Sequence, residues 1–174
     1  MVELASWLTA LPVLLAAAAI TWAVSVMQRN VTIVDTLWPV LFILAAVTYA
    51  ATGPAGPRAW LLVALVGLWG ARLAIYLAWR NFGHDEDRRY QAIRQRNEPN
   101  FALKSLYLIF GFQAVLAWVI SLPLAGAAAG DSPLGWLDAA GVAAWLVGLV
   151  FEAGGDWQLA RFKRDPANAG QVMD

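Results

Sequence analysis

Five apolar stretches, each long enough to cross a lipid bilayer, constrain this 174-residue chain more than any other feature. About 20 residues of α-helix, rising 1.5 Å per residue, cross the hydrocarbon core of a membrane. The stretches run over residues 4–27, 33–51, 59–79, 106–125 and 134–159. We therefore predict an all-α fold, a polytopic bundle of five transmembrane helices that forms a single integral membrane domain over residues 1–174.

The composition favours the same class of protein and excludes several kinds of site. Apolar residues make up 60% of the chain and charged residues 14%, whereas soluble domains have roughly 45–50% and 25%. Without cysteine there is no thiolate nucleophile or zinc–thiolate site. The lone histidine, His84, has no second ligand at a metal-binding spacing, so we expect no metal site. A net charge of zero gives no basic surface for nucleic acid.

The positive charges predict an orientation. All of the 12 Lys and Arg residues except Arg58 and Arg72 fall in the first loop, the third loop or the tail after the fifth stretch. Positively charged loops mark the cytoplasmic side of a membrane. We expect the N-terminus outside and the C-terminus in the cytoplasm, in a bacterial inner (plasma) membrane, with the active side facing the cytoplasm.

Ionisable residues inside the stretches are candidates for function, since each costs about 2.5–3.5 kcal/mol to insert near the centre of a bilayer. Arg72 and Glu152 both lie roughly 12–13 Å from the cytoplasmic helix ends, at matching depth and with opposite charge. A purely structural ion pair between them is an alternative. Four residues belong to this group: Asp35, Arg72, Glu152 and Asp156.

Helical spacing groups these residues into two faces. Arg72, Tyr76 and Arg80 are four residues apart and share one face. Glu152 and Asp156 share another, and the glycines between them would let a ligand or a second backbone approach closely. Because two carboxylates at this spacing repel each other, they call for a cation or a ligand.

The usual nucleotide-binding loops are missing: the chain has neither GxGxxG nor GxxxxGK[ST]. A bound nucleotide would therefore depend on charged side chains at helix ends, with Asp156 suited to ribose hydroxyls. The basic residues suited to phosphates are Arg80, Arg88, Arg89, Lys163 and Arg164.

Four motifs together resemble a bacterial family of uncharacterised membrane proteins related to steroid 5-alpha-reductases. They are VDTLW at residues 34–38, WGAR at 69–72, EDRRY at 86–90 and FEAGGDWQLARFK at 151–163. The resemblance implies a multi-span α-helical enzyme of lipid metabolism. Such an oxidoreductase acts on CH–CH groups and uses NADPH to reduce a carbon–carbon double bond conjugated to a ketone.

The resemblance also implies site residues. Asp156, the residue one turn before it and the basic residue downstream match cofactor positions, although steroid reductases carry an amide where this chain has Glu152. Tyr76 and Glu152 are the candidate catalytic residues, as donors to the enolate oxygen. The candidate cofactor-binding residues are Arg72, Arg80, Tyr90, Asp156 and Lys163.

Other readings stay open. Members of the family continue past the segment that ends this chain, into a basic-His-Pro-Asn-Tyr type motif and further helices that help to hold the cofactor. We therefore expect a C-terminally truncated chain, for which a non-catalytic membrane scaffold or relic is an alternative. An isoprenylcysteine methyltransferase-like enzyme using S-adenosylmethionine is a second alternative. The expected partners are the lipid bilayer and a small hydrophobic substrate, with no nucleic acid, and a homo-oligomer is left open.

Overall fold

The computed structural model describes residues 4–168 and 170–173, and these residues form helices and connecting turns without a β-strand. The predicted all-α class is confirmed. The α-helices are α1 (Leu4–Gln28), α2 (Ile33–Thr52), α3 (Pro57–Asn81), α4 (Arg88–Asn97), α5 (Phe101–Ser105), α6 (Phe112–Ile120), α7 (Leu122–Ala128) and α8 (Trp136–Arg164). A π-helical stretch, Leu106–Gly111, joins α5 to α6, and a 3₁₀ turn, Pro166–Asn168, follows α8.

Five helical segments are long and apolar enough to cross a membrane, as predicted. They are α1, α2, α3, the continuous run Phe101–Ile120, which we call the fourth span, and α8. The orientation of the chain across the membrane stays a prediction. So does the single domain, and the chain divides into two compact units, Met1–Pro133 and Leu134–Asp174.

The predicted bounds of the fourth span are wrong by about five residues at each end. The span begins at Phe101 because Lys104 is accommodated in the helix, where its ammonium donates to the carbonyl oxygen of Asn97 at 2.8 Å. The span ends at Ile120, and a separate helix, α7, starts at Leu122. Pro123 lies in the first turn of α7, where a backbone N–H would have no partner within the helix, so its absence costs no hydrogen bond.

In the first unit, α2 packs against α1, α3 and the fourth span. The contact with α3 is close at Gly70, where an added Cβ would lie 2.8 Å from a side-chain carbon of Ile43 and 3.1 Å from the carbonyl oxygen of Pro39. Small residues of this kind let membrane helices approach closely.

Two polar contacts tie the fourth span to the N-terminal helices. The rings of Trp7 and Trp118 stack at 3.9 Å, and each indole N–H donates to the other residue's carbonyl oxygen, at 3.2 and 2.9 Å. The Ser121 hydroxyl donates to the carbonyl oxygen of Trp118 at 2.8 Å, so the Tyr49 hydroxyl is the donor in the buried 2.6 Å bond between Tyr49 and Ser121. These bonds satisfy groups that the apolar interior would otherwise leave unpaired.

Candidate functional site

Polar side chains gather at one end of the first unit, where α2 begins and α4 follows α3. We call this group the α4 cluster, and it consists of Asp35, Glu86, Asp87, Arg89, Tyr90 and Arg94.

The start of α4 fixes the first of these residues. Asp87 is the N-cap, and its carboxylate accepts from the backbone N–H of Arg89 at 2.8 Å. Such a cap satisfies one of the free N–H groups at a helix start. The backbone N–H of Asp87 in turn donates to the Thr32 hydroxyl at 2.9 Å, which fastens the loop to the turn before α2.

Tyr90 links α4 to α2. Its hydroxyl donates to Asp35 at 2.6 Å, and Arg89 pairs with the second oxygen of the same carboxylate at 3.2 Å. Burial raises the pKa of Tyr90, and the hydrogen bond to Asp35 and its negative charge raise it further. Tyr90 therefore stays protonated and acts as a donor.

Glu86 and Arg94 form the most buried ion pair of the cluster. The guanidinium of Arg94 binds both carboxylate oxygens, at 2.7 and 2.9 Å, and lies 4.4 Å from the centre of the Phe101 ring. Glu86 also accepts from the backbone N–H of Val31 at 2.9 Å. Burial alone would raise the pKa of Glu86, but the bonds from Arg94 and Val31 outweigh it, so the pKa is lowered. Glu86 is therefore ionised.

A run of acids such as Asp85, Glu86 and Asp87 is typical of a solvated loop, but the Glu86 side chain is only 9% exposed. Two acids placed directly before a helix are a signal for an N-cap. The hydrogen bond from Val31 to Glu86 joins residues 55 positions apart, and no local sequence pattern predicts it.

The first predicted face lies on α3, where Arg72, Tyr76 and Arg80 are all half-buried. At the end of this helix, Arg80 donates to the side-chain oxygen of Asn81 at 3.2 Å. After the larger effect of the bonds from Arg89, the charge of Arg80 also lowers the pKa of Asp87. The α3 face therefore ends beside the α4 cluster.

The second predicted face lies on α8, in the second unit. At 100° per residue, Glu152, Asp156 and Lys163 fall within about 40° of one another around the helix axis. Lys163 lies about 10 Å along the axis from Asp156. Gly155 lies about 60° around the axis from Glu152, and an added Cβ there would meet no atom of the described residues of the second unit within 4 Å beyond the helix itself. The helix backbone is therefore open on this side of Glu152.

The structure thus places Arg80 beside the α4 cluster, to which Tyr90 belongs. Glu152, Asp156 and Lys163 lie on one face of α8. Arg72 and Tyr76 lie on α3, two turns and one turn before Arg80, respectively. The pairing of Arg72 with Glu152 stays a prediction.

A model of the family described as "Protein of unknown function (DUF1295)" matches residues 21–174. The match includes the α4 cluster and both faces. No curated protein and no protein of solved structure matches the chain significantly.

Proposed function

The chain belongs to the DUF1295 family, and we propose that it is a membrane reductase of the steroid 5-alpha-reductase type. In this proposal it uses NADPH to reduce the carbon–carbon double bond of an enone in a lipid-like substrate. The observation that carries the proposal is the α8 face, where Glu152, Asp156 and Lys163 follow one another on a membrane-length helix. These are the residues that the resemblance assigns to the cofactor.

The residues of this face fit NADPH by the chemistry of their side chains. The cofactor carries ribose hydroxyls and a carboxamide, which donate hydrogen bonds that carboxylates accept. It also carries phosphates, which Lys and Arg bind as charge-assisted partners. The open space beside Gly155 lets a planar group approach the helix backbone.

In the proposed site on α8, Asp156 and Glu152 accept hydrogen bonds from hydroxyl and amide groups, while Lys163 pairs with a phosphate. Arg72 and Arg80 of α3 are candidate phosphate partners by their charge. The hydroxyl of Tyr90 is already bonded to Asp35. We therefore assign Tyr90 a positioning role, in which it holds α4 and its arginines against the start of α2.

NADPH supplies a hydride when it is bound. Tyr76 donates a hydrogen bond to the carbonyl oxygen of the enone and stabilises the negative charge that develops there. The bilayer admits an apolar substrate, and the apolar surroundings strengthen this hydrogen bond.

The test is a titration of the full chain in detergent with NADPH, followed by cofactor fluorescence. We expect saturable binding that Asp156→Asn weakens at least tenfold, with Asp131→Asn, an exposed residue of the loop before α8, as the matched control. Binding that is equal in the two variants contradicts the proposal. So does a lack of binding by a chain that circular dichroism shows to be helical, and that result favours the non-catalytic scaffold.

The same titration, repeated with S-adenosylmethionine, distinguishes the proposed reductase from the methyltransferase-like alternative. S-adenosylmethionine carries no phosphate, so Lys163→Gln should leave its binding unchanged and weaken NADPH binding. If S-adenosylmethionine binds saturably and NADPH does not, the chain is related in function to the methyltransferases instead.

A further inference from the structure

A cavity lies in the first unit where α1 ends and the fourth span begins, and none of its lining residues belongs to the two predicted faces. Its volume is about 340 Å³, which lies within the usual range for small-ligand sites. Its walls are the last turn of α1, Arg29, Val31, Arg94, Glu98, residues 100–102 and Ser105.

The cavity combines apolar walls with a few polar groups. Val31 and Phe101 are buried apolar residues of its lining. Ser25 and Ser105 are 2% and 1% exposed, and their hydroxyls donate to the carbonyl oxygens three residues earlier, at 2.8 and 2.7 Å. Because each hydroxyl proton is in use, these serines can only accept a hydrogen bond from a ligand.

The charged lining residues are Arg29, Arg94 and Glu98. The charge of Arg94 is balanced by Glu86, which lies outside the lining. Arg94 uses two of its five N–H groups on Glu86, so three are left. The Arg29 side chain has no hydrogen bond or ion pair among the described residues. Glu98 lies near enough for its charge to raise the pKa of Arg94, after the larger effect of the bond to Glu86. The cavity thus offers cations for an anion and a carboxylate for a cation.

The cavity lies at the level of a membrane surface. It is formed by the end of one membrane-length helix and the start of another. Beside it, the indole N–H of Trp22 donates to the carbonyl oxygen of Ala102 at 2.7 Å, and tryptophan is typical of this level. Met27 and Leu103, next to the lining in sequence, are 84% and 62% exposed and offer apolar surface to acyl chains.

We propose that this cavity binds a phospholipid whose headgroup joins a phosphate to a primary ammonium, as in phosphatidylethanolamine. Arg29 and the free N–H groups of Arg94 receive the phosphate, and Glu98 with the serine hydroxyls receives the ammonium. A choline headgroup has no N–H to donate to these acceptors. A glycerol headgroup leaves the charge of Glu98 unmatched. The site does not depend on the proposed reductase activity.

The test is native mass spectrometry of the delipidated full chain with dioleoyl phosphatidylethanolamine, phosphatidylcholine and phosphatidylglycerol. We expect the ethanolamine lipid to bind about tenfold more tightly than the other two, which is the ratio that one charge-assisted hydrogen bond supplies. Glu98→Gln should reduce this preference to within about twofold. Arg29→Gln should weaken all three lipids, since all carry the phosphate.

Matched controls are Asp85→Asn, in the loop before α4, and Arg96→Gln, on α4. Both residues are exposed and do not line the cavity. Equal binding of the three lipids would overturn the proposal, as would a preference that survives Glu98→Gln. Soluble phosphoethanolamine provides the last comparison. If it competes at concentrations close to those of the lipid, the ligand is a free zwitterion and the assignment to a membrane lipid is wrong.

Discussion

The α4 cluster and the α8 face are both acidic and basic, but they are built in opposite ways. In the α4 cluster the acids come from two parts of the chain, and each meets an arginine or a tyrosine within 3.3 Å. On the α8 face two acids lie one turn apart on a single helix, where their charges repel. The first arrangement compensates its own charges and stabilises the fold, whereas the second is the one that we propose to bind a cofactor.

The strongest test of this comparison is Glu86→Gln. The substitution leaves the half-buried guanidinium of Arg94 without its carboxylate, and we expect the free energy of unfolding to fall by about 2–3 kcal/mol. Thermal unfolding in detergent, followed by circular dichroism, measures the change. Asp85→Asn, at the exposed neighbour, should change it by less than about 0.5 kcal/mol. Equal melting temperatures for the two variants would mean that the α4 cluster does not stabilise the fold.

A second test concerns catalysis and uses Tyr76→Phe. Losing one donor to the developing enolate oxygen should lower kcat about 100-fold, while NADPH binding stays the same. NADPH consumption with a 3-oxo-4-ene steroid as the enone measures the rate. If turnover by the variant equals that of the native chain, Tyr76 has no part in the mechanism.

Hydrophobic length predicts the existence of the five long helices, because apolar runs of this size have few other folds available. Pro99 likewise predicts the end of α4, which the structure places at Asn97. The partners inside the α4 cluster could not be predicted. Tyr90 and Asp35 are 55 residues apart in the sequence. A charged segment that packs against the fold cannot be told by its sequence from one that is solvated. The start of the fourth span was missed for a similar reason, since the carbonyl oxygen that receives Lys104 lies outside the apolar run.

A smaller effect distinguishes a positioning role of Tyr90 from direct binding. Tyr90→Phe removes the bond to Asp35 and should lower the free energy of unfolding by about 1–2 kcal/mol. Tyr107→Phe, at a 60% exposed residue of the fourth span, is the matched control and should have little effect. If Tyr90 acts only through α4, NADPH affinity at a temperature where both variants are folded should change by less than about threefold. A tenfold loss in the folded variant would instead place the Tyr90 hydroxyl on the cofactor.

The smallest expected effect is a dependence of stability on acid pH that arises in the α4 cluster. The pKa values of Glu86 and Asp87 are lowered in the folded chain, mainly by the bonds from Arg94 and Arg89. Their ionised forms therefore contribute stability that is present above the ordinary pKa values of 4.5 and 3.8 and is lost as the pH falls through the lowered values. Melting temperatures measured from pH 6 down to pH 3 should fall less steeply in Glu86→Gln than in the native chain. Parallel curves would show that the acid sensitivity arises elsewhere. The contrast between the α4 cluster and the α8 face would then have no electrostatic basis.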